Sequence, residues 1–379
     1  MKSGVAKKLK FAGIILIALA LIFTIGVAVF VGGTNYIYRI RASYIESIKV
    51  ELAEGAEVKN TILMIGDGMG PLHLEATKGY FGMDTLFMET MSYNGMVTTF
   101  SKTGVTDSAA AATALSTGVK IQNGGVAMDG GKNLETMGEL AKKHGKSVGI
   151  ITTEALYGAT PASFSAHAQF RGESDRITKS QLESGFDLFI GATDLSNYAS
   201  YEYDIRAAGY DYVNEFDDLS YSSDKIFAVF SKISTSNGTN EQPELKDIVR
   251  FAINFLESKS DNGYFLMIEG AHIDKRSHSN DIKGMVEQLK AFDEAVNAVM
   301  DEASVDTYVL VTADHETGDL RYNGETGDAI KNSLYHSGGH TGKDVRYFAT
   351  SHVVNLPRRI DNTNVASVFR QLISGSYAA

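Results

Sequence analysis

The chain has 379 residues, 44% hydrophobic and 21% charged, enough apolar material to bury a sizeable core in one large domain or two to three smaller ones. A net charge of -11 argues against nucleic acid as a partner and means that any phosphate site must supply its own local positive charge. With no cysteine, disulfides and thiolate chemistry are excluded.

At the start of the chain, Lys2, Lys7, Lys8 and Lys10 precede a run over 11–31 that is apolar for 21 residues, and a hydrocarbon core needs about 20. The run is longer than a signal-peptide core and no convincing small-x-small cleavage site closes it. Residues 1–33 are therefore expected to be a basic cytoplasmic tail and a transmembrane anchor, with Tyr36 and Tyr38 at the far interface and the body outside the cytoplasm. A cleaved signal peptide followed by secretion is the alternative. Residues 34–58 read as a tether to a folded body over 59–379.

Within that body, short apolar runs predict strands over 61–66, 96–100, 147–153, 187–191, 264–269, 307–313 and 345–350. Helical patterns fall over 108–117, 134–144, 162–170, 245–258, 281–303 and 363–373. Near-continuous apolar strands alternating with helices predict an α/β fold, a mostly parallel central sheet covered by helices on both faces. The tyrosine-rich, acidic stretch 172–244 reads as a cap insertion, a partner surface or, by default, solvated loop.

Residues with ligand chemistry follow the strands. Asp67 succeeds the first; Thr160 lies shortly after the third; Glu269, Asp274 and His278 follow 264–268; Asp314 and His315 follow 307–313; His340 precedes 345–350. In an open α/β sheet ligands bind outside the carboxyl ends of the strands. Each residue alone has a plainer reading, as a turn aspartate, a helix cap or a solvated face, but together they gather at one edge. In TDSAAAATAL, over 106–115, a serine and an aspartate stand where a loop turns into an alanine-rich helix. Free N–H groups and the positive dipole end favour an anion there. Nitrogen with carboxylate suits zinc, and oxygen alone suits magnesium. Asp274, His278 and His340 form one set with an open position. Asp67, Asp314 and His315, completed by Ser108, form a second, and Asp67, Thr160 and Glu269 a third, all-oxygen set.

Through ILMIGDGMG, TDSAAAATALSTG, ATPASFSAHAQFR, IEGAHIDKRSH, TADHETGD and HTGKDVRYFA, in this order between about 59 and 373, the sequence resembles the alkaline phosphatases. The resemblance implies hydrolysis of phosphate monoesters through a phosphoserine on Ser108, with Arg171 clamping phosphate oxygens. It also implies that Lys275 reaches the phosphate or a third-site water shell. Two zinc ions (Zn2+) and one magnesium ion (Mg2+) are implied on the three sets above, and a homodimer is common in the family. Gly158 stands where the family has an aspartate or histidine serving the third metal, which weakens the expectation of magnesium. A phosphodiesterase or related two-metal hydrolase, and a membrane-tethered metal-binding protein without catalysis, are the alternative readings.

Overall fold

The computed structural model describes residues 45–377 together with a few positions between 33 and 42. The apolar run at 11–31 lies outside them, and among the described residues no helix is long and apolar enough to cross a membrane. The later part of the expected tether is docked rather than free. Val50 is fully buried, its N–H donates to Gln371 Oε1 at 3.0 Å, and Leu52 bridges to Val353.

Ten strands of the described residues form one sheet. In chain order they are β1 (Asn60–Gly66), β2 (Tyr93–Thr98), β3 (Ser147–Thr152), β4 (Leu188–Ala192), β5 (Asp211–Val213), β6 (Ile226–Phe230), β7 (Tyr264–Gly270), β8 (Thr307–Thr312), β9 (Val345–Ala349) and β10 (Arg359–Asp361). Their spatial order is β10-β2-β9-β8-β1-β7-β3-β4-β6-β5. Every pairing is parallel except those of β9, which runs against both β8 and β2. β1 lies at the centre, its Ile65 level with Thr312 on one side and Glu269 on the other. All seven residues of β1 and all seven of β7 are buried, as expected of strands covered on both faces.

The main helices are α1 (Pro71–Phe81), α2 (Ser108–Thr117), α3 (Met137–Lys143), α4 (Ala159–Ser165), α5 (Ser174–Glu183), α6 (Leu245–Lys259), α7 (His272–His278), α8 (Ile282–Glu302) and α9 (Asn362–Ser374). They pack as two groups on opposite faces, α1, α6, α7 and α8 on one and α2, α3, α4, α5 and α9 on the other. In α8 the buried Ile282, Met285, Val286, Leu289, Phe292, Val296 and Val299 recur at three- and four-residue steps. Each such side chain contributes about 1.5–3 kcal/mol by leaving water. α2 differs, for all ten of its residues are buried. Alanines at 109–112 and 114 let it lie close to α4 and α9, which fixes the helix start that carries Ser108.

Two expectations need correction. The stretch 172–244 is not the solvated loop expected by default, because it supplies α5 and the strands β4, β5 and β6 at one end of the sheet. The run IFAVF at Ile226–Phe230 is fully buried, yet it is only five residues long and set among polar and tyrosine-rich sequence that masks it. The helix expected over 162–170 instead spans Ala159–Ser165, so Thr160 lies in its first turn. α1 and α7 carry no clear apolar stripe and were silent in the sequence for that reason.

Candidate active site

The carboxyl end of β1 sets the floor of the site. Asp67 follows it, and then Gly68 with φ of +72, where an added Cβ would lie 2.8 Å from the Asp274 Cα. Only glycine allows this approach of two backbones. Gly68 N donates to Asp314 Oδ1 at 3.0 Å, and His315 N donates to the same oxygen at 2.8 Å. That oxygen is thereby occupied. Asp314 Oδ2, 3.1 Å from His315 Nε2, and Asp67 Oδ1, 3.6 Å from it, are buried without a hydrogen-bond partner. Burial first, then the neighbouring charges of Asp314 and Asp274, push Asp67 well above the usual carboxylate range. Burial likewise lifts Asp314 to about 6. Carboxylates packed this way without donors call for a cation.

The histidines are held so that lone pairs converge. His278 Nδ1 donates to the Gly338 carbonyl at 2.6 Å and His340 Nδ1 to the Thr106 carbonyl at 2.9 Å. A carbonyl accepts only, so the Nε2 atom of each neutral ring is left as an acceptor. These two Nε2 atoms are 3.1 Å apart. Asp274 joins them, Oδ2 at 3.2 Å from His278 Nε2 and Oδ1 at 3.7 Å from His340 Nε2. Thr317 Oγ1 donates to Asp274 Oδ1 at 2.5 Å and lies 3.2 Å from His315 Nδ1, positioned to accept its proton. His315 Nε2 therefore faces Ser108 Oγ, 3.3 Å away. The Asp274 hydrogen bond pushes His278 up to about 9, so its Nε2 carries a proton that a cation must displace, whereas burial pulls His315 down to about 4 and keeps it neutral.

Ligand atoms of Asp274, His315 and His340 all lie within 4.8 Å of one another, as do those of Asp67, Asp314 and His315. Mixed nitrogen and oxygen donors, converging lone pairs and orphaned buried oxygens fit divalent cations. The third set is different in kind. Glu269 accepts the Thr152 hydroxyl on Oε2, while its Oε1 and Thr160 Oγ1 are buried without partners. Burial, then the charge of Glu154, pushes Glu269 up to about 8. This all-oxygen group suits a hard cation.

Ser108 opens α2, and Asp107 caps it by accepting Ala110 N on Oδ1 at 3.0 Å. The other oxygen of Asp107 accepts Gly124 N at 3.1 Å and Arg171 Nη1 at 3.2 Å. Arg171 is held a second time, its backbone N–H donating to the Gly124 carbonyl at 2.8 Å. One nitrogen of the guanidinium is thus anchored and the rest remain available. β9 brings in His340: running opposite to its neighbours, its start lies at the edge where they end, five residues after that histidine.

A family model described as Alkaline phosphatase matches residues 58–198 and 199–335. The chain is 35% identical over 288 residues to Alkaline phosphatase 3 of Bacillus subtilis, covering 69% of this chain and 62% of that protein. It is 30% identical over 329 residues to the alkaline phosphatase of Escherichia coli, covering 68% and 70%. The chain belongs to the alkaline phosphatase family. It spans less than two thirds of its two Bacillus subtilis relatives, at 62% and 64% of their length. Among solved structures, an alkaline phosphatase mutant from TAB5 with Mg bound in its M3 site matches with a TM-score of 0.72 at 25% identity, over 87% of this chain and 100% of that one. A cold-active alkaline phosphatase from a psychrophilic Shewanella matches with a TM-score of 0.72 at 25% identity, over 83% and 99%.

In this alkaline phosphatase family member, Ser108 and the eight residues singled out as ligands gather at one sheet edge, and Arg171 stands beside them. Lys275 is there too, but its ammonium is engaged by Glu154. Three functional residues escaped sequence reasoning. Asp107 was visible as a cap, but not as the anchor of an arginine 64 positions on. Thr317 lies two residues beyond His315 in a short strand, so alternation was the available signal. Glu154 gave no signal at all.

Proposed function

We propose that the chain is a phosphate-monoester hydrolase that works through a phosphoserine on Ser108. The observation that carries this reading is Ser108 Oγ, buried at a helix start, 3.3 Å from Nε2 of His315, a residue that lies within both clusters of converging ligand atoms. Asp67, Asp314 and His315 would hold one zinc ion, Asp274, His278 and His340 a second, and Asp67, Thr160 and Glu269 a magnesium ion. When bound, these ions supply the positive charge that makes the serine hydroxyl and the attacking water nucleophilic and neutralises the leaving oxygen.

Every other part falls to the chain itself. The start of α2 presents free N–H groups and a positive dipole end to the phosphate dianion. Arg171, aimed by Asp107, offers remaining guanidinium N–H donors to two phosphate oxygens. Ser108 Oγ attacks phosphorus in line; the new P–O bond forms as the bond to the leaving oxygen breaks, and the serine proton ends on the released alcohol. Water then attacks the phosphoserine from the opposite side, restoring the Ser108 hydroxyl and releasing phosphate. Two inversions give net retention at phosphorus. A binding protein without catalysis has no use for a nucleophile set against the ligands, and a diester carries less charge for Arg171 to meet.

The test is turnover of a chromogenic phosphate monoester against the matching diester, with and without chelator, alongside elemental analysis of the purified protein. Monoester turnover that chelator abolishes, with two zinc ions per chain, is the expected result. Preference for the diester points to the phosphodiesterase reading, and turnover of neither points to the binding protein. An anchor at 11–31 displaying the body outside the cytoplasm belongs to the same proposal, supported by the length of that apolar run. Release of the protein by salt wash instead of detergent counts against it.

A further inference from the structure

The space that a side chain at Gly158 would take is already filled. A Cβ built there would lie 2.2 Å from Glu154 Oε1, 2.7 Å from its carboxyl carbon and 2.9 Å from the backbone oxygen of Ala155. Gly158 caps α4, whose first turn carries Thr160, so Glu154 reaches that turn from the strand side. Its backbone is fixed twice, by its N–H donating to Thr152 Oγ1 at 3.1 Å and by its carbonyl accepting from Ala192 N at 2.8 Å. The same Thr152 hydroxyl donates to Glu269, so both glutamates hang from one threonine. Glu154 Oε2 pairs with Lys275 Nζ, and the carboxylate side chain is only 17% exposed.

Asp67 Oδ1, Glu269 Oε1 and Thr160 Oγ1 are each buried without a partner, and oxygen atoms alone point to a hard cation.

We propose that Glu154 replaces the missing side chain of residue 158: it serves the hydration shell of a magnesium-type cation held by Asp67, Thr160 and Glu269, and keeps Lys275 beside it. Glu154 has this role only if the all-oxygen set is a cation site, as proposed above. One consequence is that Gly158→Asp would not improve the site, because its Cβ would meet both the Glu154 carboxylate and the Ala155 carbonyl.

The experiment uses the full chain, stripped by chelator and reloaded with zinc, with Mg2+ binding followed by titration calorimetry and zinc content by elemental analysis. The wild type is expected to take up one Mg2+ per chain. Glu154→Gln, which preserves shape, and Glu154→Ala should each weaken that binding about tenfold or more, as outer ligands typically do. Zinc content should stay constant throughout. A smaller change in Glu154→Gln overturns the role of Glu154 while leaving the third site standing. A wild type that binds no Mg2+ overturns the third site and this inference with it.

Discussion

Two buried clusters of charge lie at the two ends of helix Ser108–Thr117, and they are built in opposite ways. Past its C-terminus, Lys120 Nζ lies 3.0 Å from Asp361 Oδ1, donates to Asn362 Oδ1 at 2.6 Å and stands 4.1 Å above the ring of Phe100. Asp361 also accepts the Thr98 hydroxyl at 2.5 Å and Thr363 N at 3.0 Å. Both oxygens of that carboxylate are in use. At the other end, Asp67, Asp314 and Glu269 are as deeply buried, yet each keeps an oxygen with no partner. Burial of charge therefore does not distinguish structure from chemistry in this molecule; unspent acceptor capacity does. The helix dipole serves both ends, favouring a cation near Lys120 and an anion near Ser108.

The comparison can be broken from either side. The largest effect is expected from Ser108→Ala, which removes the oxygen proposed to attack phosphorus and should lower monoester turnover by on the order of 10³-fold or more; steady-state kinetics that stay near wild type would remove the phosphoserine from the proposed mechanism. Lys120→Ala should do the reverse, destabilising by about 3–5 kcal/mol because Asp361 is left buried without its cation. Urea unfolding measures this, and turnover per folded molecule should not change. Arg171→Ala should reduce turnover by about 10²-fold, the usual scale for loss of a positioned donor to a charged transition state, with little change in the melting point. A loss confined to stability would make that arginine a structural partner of Asp107.

The smallest effect concerns pH. Asp293 is buried in α8 and accepts Phe87 N at 2.8 Å and Met88 N at 2.9 Å. Burial nevertheless outweighs these donors and lifts it to about 6 from 3.8. A carboxyl raised on folding binds its proton more tightly in the native state, so its stabilising contribution is full below about pH 4 and is lost as pH rises through about 6. The change is about 2–3 kcal/mol at most. Asp293→Asn turns an amide toward one of those N–H groups and lowers stability at every pH, but it should flatten the slope of unfolding free energy between pH 4 and 7. An unchanged slope would assign that pH dependence to other carboxyls.

Much of this was legible in the sequence because the sheet is parallel and doubly covered. Strands such as Asn60–Gly66 and Thr307–Thr312 are continuous apolar runs, and ligand residues follow them directly. What escaped was of two kinds. α7 reads HIDKRSH, a segment whose residues serve the site and carry no apolar stripe, so helical periodicity had nothing to register. Glu154 depends on the empty space at Gly158, which is a fact of packing between a strand end and a helix start. Asp107 lies between these cases, since its capping oxygen could be read locally and its arginine-binding oxygen could not.

The strand Val345–Ala349, which runs against its neighbours, has a consequence for how the protein matures. The residues proposed to hold the cations run from Asp67 to His340, so the set closes only once that strand has paired with both of its neighbours. A molecule whose outer third has not yet found its place has carboxylates that repel and nothing to bind between them. If the proposed cations bind, their uptake is coupled to completion of this fold, because the set does not exist until distant parts of the chain have met.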